Sequence, residues 1–140
     1  MFYAVEPEVA GGLGNSTIMD RSVHPPVVHK LHFVFEGWDG DDILETFPCY
    51  IVTEKLRNSI EINNFTGYEF ADVTVDTSEN FKDIYSNVKL PKFYWLKVNG
   101  IVCKDDFGIS QDNRLVVSES FKKILEDHVT ENCEISLYSQ

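Results

Sequence analysis

The chain has 140 residues, 43% of them hydrophobic and 13% aromatic, which is enough for one domain with a sizeable core of its own. Twelve basic residues stand against 23 acidic ones, a formal charge of -11. No basic stripe offsets that total, so a nucleic-acid backbone would be repelled at long range, and the apolar content argues against global disorder.

In chain order, Phe2 to Val5 reads as a short strand. Residues 6–26 follow as a long irregular loop, with Gly11-Gly12-Leu13-Gly14 inside it and Pro25-Pro26 at its end. Val28 to Phe35 alternates, placing Leu31, Phe33 and Phe35 on one face and His32 and Val34 on the other, as a strand does. Gly37-Trp38-Asp39-Gly40 breaks it, and Asp41 to Thr46 is read as a helical turn opened by its two aspartates. Phe47 to Val52 is an apolar strand, and Thr53 caps a helix to about Asn63. Tyr68 to Val75 alternates as a strand, and Ser78-Glu79-Asn80 starts a brief helix. Phe93 to Val98 is a strand ended by Asn99-Gly100, a hairpin signal, with Ile101 to Cys103 returning. Leu115 to Val117 is a strand, Ser118 caps the last helix, and Cys133 to Tyr138 closes the chain as a strand. The class is α+β, a single domain spanning 1–140 of mostly antiparallel strands with two main helices. Leu56, Ile60, Phe121 and Leu125 are the expected core residues of those helices.

A shift of 65 residues lays 51–73 over 116–138. Val52, Glu54, Glu61 and Glu69 meet their identities in Val117, Glu119, Glu126 and Glu134, and Thr53 meets Ser118. The shared unit is a strand, a hydroxyl cap followed by Glu, an amphipathic helix and a closing strand. A duplication accounts for it, and so does the common periodicity of any two such units.

Chemistry is sparse. The glycine loop lacks the preceding strand and the following Lys-Ser/Thr of a phosphate-binding loop. Asp106-Phe107-Gly108 stands without the other motifs of a kinase. His29 and His32 fall on opposite strand faces, and no histidine, cysteine or carboxylate set has metal-ligand spacing. A site joining His24 and His29 to the Asp39/Asp41/Asp42 turn is weighed against solvated histidines, and the latter is preferred. No catalytic constellation, metal or cofactor is read. Cys49, Cys103 and Cys133 form no even, closely spaced set, and Met1 to Pro7 shows no secretory signal, which suggests a reducing cytoplasm. No apolar run is long enough to span a membrane.

Two acidic stretches remain. Residues 36–46 hold five acids and no base, and Glu69, Asp72, Asp76 and Glu79 form the second, with Asp105-Asp106 as a further point. Such runs keep a protein solvated, and around an aromatic they also suit a basic partner. Trp38, Asp39, Asp41, Asp42, Asp105 and Asp106 are therefore the candidate partner-binding residues. Trp38 either anchors that partner or folds back on the core.

The blocks Phe47-Pro48-Cys49-Tyr50-Ile51-Val52-Thr53-Glu54, Leu90-Pro91-Lys92-Phe93-Tyr94-Trp95-Leu96-Lys97, Asp105-Asp106-Phe107-Gly108 and Leu115-Val116-Val117-Ser118-Glu119 resemble a family of uncharacterised bacterial proteins. The strand–Ser-Glu–helix–strand ending is similar to that of small immunity proteins of bacterial polymorphic toxin systems, including the myxobacterial type. That resemblance implies a cytoplasmic, non-enzymatic protein that binds and neutralises a toxin domain. The alternative is a small enzyme or ligand-binding domain with a pocket under the 6–26 loop.

Overall fold

In a computed structural model, which describes residues 1–139, thirteen strands and three helices give the expected α+β class. In chain order these are β1 (Phe2–Glu6), β2 (Gly11–Leu13), β3 (Ile18–Asp20), β4 (Val27–Lys30), β5 (His32–Phe35), β6 (Ile43–Thr46) and β7 (Cys49–Thr53). Then follow α1 (Glu54–Glu61), β8 (Tyr68–Ala71), β9 (Thr74–Thr77), α2 (Glu79–Ile84), β10 (Phe93–Val98) and β11 (Phe107–Ile109). The chain ends with β12 (Leu115–Ser118), α3 (Glu119–Glu126) and β13 (Glu134–Leu137). No helix is long and apolar enough to cross a membrane among the described residues.

The repeat read in the sequence is a repeat of structure, and it is larger than the sequence suggests. One four-stranded sheet has the order β6-β7-β10-β8 and the other β11-β12-β1-β13, so α1 and α3 each join two strands that flank a central antiparallel strand. With β2–β5, β9 and α2 set aside, both halves run strand, strand, strand, helix, strand (β1, β6, β7, α1, β8 and β10, β11, β12, α3, β13), and the halves exchange their first strands. β1 enters the sheet of the second half, and β10 enters that of the first. Register repeats with topology: Tyr3 faces Val117 as Tyr94 faces Val52, and Val5 faces Ile135 as Leu96 faces Phe70. Thr53 and Ser118 accept from the N–H groups of Leu56 and Phe121, each at 3.3 Å. Arg57 pairs with Glu61 and lies over the Tyr94 ring, while Lys122 pairs with Glu126 and lies over the Tyr3 ring.

Two apolar layers hold the fold. On one face of the β6–β8 sheet, Ile43, Tyr50, Val52 and Leu96 pack with Leu56, Ile60, Phe121 and Leu125 of the helices and with Val5, Leu115 and Val117. All four expected helix residues are fully buried. On the opposite face, Leu44, Cys49, Ile51, Phe93 and Trp95 pack against Phe33 and Phe35 of the third sheet, β2-β5-β9, against Leu31 just before it, and against Phe81 of α2. Strand β7 is buried on both faces, which is why it reads as a continuous apolar run rather than an alternation.

Several expected elements are corrected. Residues 6–26 are not an irregular loop throughout, because they contain β2 and β3. The glycines that suggested a loop allow strand pairing instead: a Cβ on Gly11 would collide with the Val34 carbonyl of β5. Asp41 to Thr46 is strand rather than helical turn from Ile43 onward, since Ile43 and Leu44 feed opposite cores. The 28–35 alternation breaks at Leu31, where the chain leaves the β3–β4 ribbon for the third sheet, and the 68–75 alternation breaks at Asp72-Val73. Asn99-Gly100 closes no hairpin. Both N–H groups donate to the Gly67 carbonyl, at 2.9 and 3.0 Å, and β11 pairs with β12 instead of β10.

Candidate functional site

The acidic turn after β5 does not stand clear of the protein. Trp38 folds back: its indole N–H donates to the Asp41 carbonyl at 2.9 Å and its ring meets Phe93 edge-on. Asp41 and Asp42 are 0% and 5% exposed. The reading of these two as exposed, partner-facing acids is therefore corrected. Their carboxylates accept main-chain N–H groups of the α3–β13 loop, Asp42 from Val129 at 2.9 Å and Asp41 from Asn132 at 3.0 Å. Asp42 also accepts the Thr53 hydroxyl at 2.7 Å. Asp105 and Asp106, half-buried, do the same work in the second half, accepting the N–H groups of Ile101 and Thr66. Unpaired N–H groups in tight loops need an acceptor, and a short carboxylate provides one. Of the six candidates, only Asp39 is exposed.

The fold nevertheless gathers carboxylates around that turn from three separate segments, 6–8, 39–45 and 131–134. Glu6 ends β1 and lies directly opposite Glu134 of β13. Glu8 bridges to β6, and its carbonyl accepts the Glu45 N–H at 3.0 Å. Asp39, Asp41 and Glu131 complete the group, with the Asn132 amide within 3.4 Å of both Glu8 and Asp41. Burial, reinforced by Asp41 and Asp39, raises the Glu8 carboxyl above its ordinary value. Burial and Glu6 raise Glu45, and burial and Glu131 raise Asp41 against its hydrogen bonds. Burial pushes the neighbouring Cys133 thiol up to about 12, with Asp41 adding to the effect. Among the described residues, no ion pair involves any of these seven acids. They spread over a face, and no metal-ligating cluster is found among the described residues.

The second acidic stretch differs in kind. Glu69 pairs with Lys97 at 3.5 Å, Glu79 with Lys82 at 3.7 Å, and Asp76 with His32 at 2.6 Å. His24 and His29 are exposed, while His32 is only 8% exposed. Its Nδ1 accepts the Ser16 N–H at 3.1 Å, which leaves Nε2–H to donate to Asp76. Sequence reasoning missed this pair because Asp76 lies 44 residues away, on the parallel neighbour of β5.

No family model matches the chain, and no curated protein matches it. The geometry must therefore carry the function. It also includes a cleft of about 240 Å³ at the end of the β6–β8 sheet, walled by Pro25, Phe47, Pro48, Tyr50, Trp95 and Val98. Burial pushes the Cys49 thiol in its wall up to about 12, so that sulfur stays protonated at neutral pH.

Proposed function

We propose that the protein is a non-enzymatic, cytoplasmic binding protein that masks a basic partner with this acidic face, as the immunity proteins it resembles mask a toxin domain. One observation carries the reading: Glu6, Glu8, Asp39, Glu45, Glu131 and Glu134 converge from three segments with no ion pair of their own among the described residues, and burial, with like charge adding to it, raises the carboxyls of Glu8 and Glu45. Like charges opposed across a strand pair, as Glu6 and Glu134 are, cost stability. A fold retains such an arrangement at a cost that a basic partner relieves, and the uncompensated field steers that partner in. The 69–79 stretch, whose acids are mostly paired internally, offers no such gain.

A labelled hexa-arginine peptide tests this by fluorescence anisotropy, with hexa-glutamate as control. Hexa-arginine binds the protein at low salt and releases as salt rises. Changing Glu8, Glu131 and Glu134 together to Gln weakens it about tenfold or more. Equal binding by wild type and the triple variant contradicts the reading.

A further inference from the structure

None of the acids of the acidic face lines the cleft at the end of the β6–β8 sheet, and the cleft differs from that face in sign. Trp95 and Lys97 project from one face of β10, and the pairing of Ile51 with Trp95 puts Cys49 on that same face of β7. Along β10 the apolar layer on this face ends at Trp95. Past it the lining is completed by Pro25 and Pro26 of the 6–26 segment, by Val28 of β4, and by Phe47 and Pro48 of the β6–β7 turn.

Size and lining limit what fits. The cleft's volume of about 240 Å³ lies below the roughly 300–1,000 Å³ of drug-sized ligand sites and above the roughly 150 Å³ that holds a benzene, so one ring with a short side chain fills it. Trp95, Phe47 and the three prolines offer flat apolar surface, and the prolines have no N–H to give. Lys97 is the one charged side chain in the lining. Its ammonium lies over the Trp95 ring at 4.9 Å, with Glu69 at 3.5 Å, which is long for a hydrogen bond. The two side chains of that pair are 37% and 59% exposed, so the pair contributes little and leaves the ammonium able to take a second carboxylate.

We propose that this cleft is a binding site for a small aryl carboxylate, its ring held against Trp95 and the prolines and its carboxylate on the Lys97 ammonium. Apolar walls supply affinity to the ring without direction, and the single cation among them sets the orientation and the sign of the ligand. The site stands independently of the acidic face, which a ligand of this charge avoids.

Phenylacetate, 2-phenylethanol and phenethylamine share a ring and differ in charge, and NMR titration of the unmodified protein with each tests the site. Phenylacetate shifts the Trp95 indole and the amides of Cys49 and Val98, and binds about tenfold tighter than either analogue. Lys97→Met keeps an apolar stem, removes the charge and brings phenylacetate down to the level of 2-phenylethanol. Glu69→Gln removes the competing carboxylate and tightens phenylacetate severalfold. Equal affinity for all three compounds, or phenylacetate binding unchanged in Lys97→Met, overturns the assignment of the carboxylate to Lys97. Tighter binding of phenethylamine at the Trp95 indole overturns the sign. No shift of that indole with phenylacetate at about 20 mM overturns the site itself and leaves the acidic face standing.

Discussion

Asp39 and Asp42 lie three positions apart in one acidic turn, and their substitution should have opposite consequences. Asp42 holds the part-buried Val129 N–H and the buried Thr53 hydroxyl, so Asp42→Ala leaves both donors without that acceptor. A loss of about 2–4 kcal/mol is expected in denaturant unfolding. Asp39→Ala removes an exposed charge from a repulsive group and should change stability by about 0.5 kcal/mol or less. Gly14 is a second position where a small change matters, because a Cβ there would collide with the His32 ring and break the Ser16–His32–Asp76 chain. Gly14→Ala should therefore destabilise by about 1–3 kcal/mol, read from the shift in unfolding midpoint. None of this was legible from the turn's composition. A run of acids reads as solvated surface, and only the α3–β13 loop, 87 residues away, makes Asp42 an internal acceptor.

The repeated strand–helix–strand unit was legible because its signals are local. Each cap hydroxyl stands three residues before the N–H it accepts, and the apolar positions Leu56/Ile60 and Phe121/Leu125 keep helical spacing. The exchange of first strands was not legible, because β1 meets β12 and β13 from the far end of the chain. In hindsight the signals were Phe2-Tyr3 against Phe93-Tyr94 and Asp41-Asp42 against Asp105-Asp106, which fall outside the 51–73 and 116–138 windows. The two caps, equivalent in the repeat, differ in what else they hold. Ser118→Ala should cost about 1 kcal/mol, the ordinary value of a cap. Thr53→Ala should cost more, because Thr53 is buried and also donates to Asp42. Equal losses in paired unfolding curves would contradict that distinction.

At the scale of the whole molecule, the gathered carboxylates make stability depend on pH in an unusual direction. Glu8, Asp41 and Glu45 hold their protons more tightly in the folded chain than in the unfolded one, whose carboxyls titrate near 4.5 for Glu and 3.8 for Asp. Between those values and the raised folded ones, the folded state binds more protons, so stability falls as pH rises through that window. Asp20 and Asp112 are shifted the other way, lowered by hydrogen bonds from Ser22 and Ser110, and their contribution is lost only at more acid pH. The melting temperature should therefore rise as pH is lowered from neutrality toward the ordinary carboxyl value of 4.5, and Glu8→Gln with Glu45→Gln should flatten that rise. The same unpaired charges underlie the binding face, so where a basic ligand sits is the most direct question to put to the protein. An amide-resolved NMR titration with hexa-arginine answers it. Shifts confined to Glu6–Val9, Asp39–Asp41 and Glu131–Glu134 are expected, fading as salt is added. Shifts centred on residues 69–79, where three of the four acids are already paired, would contradict the account.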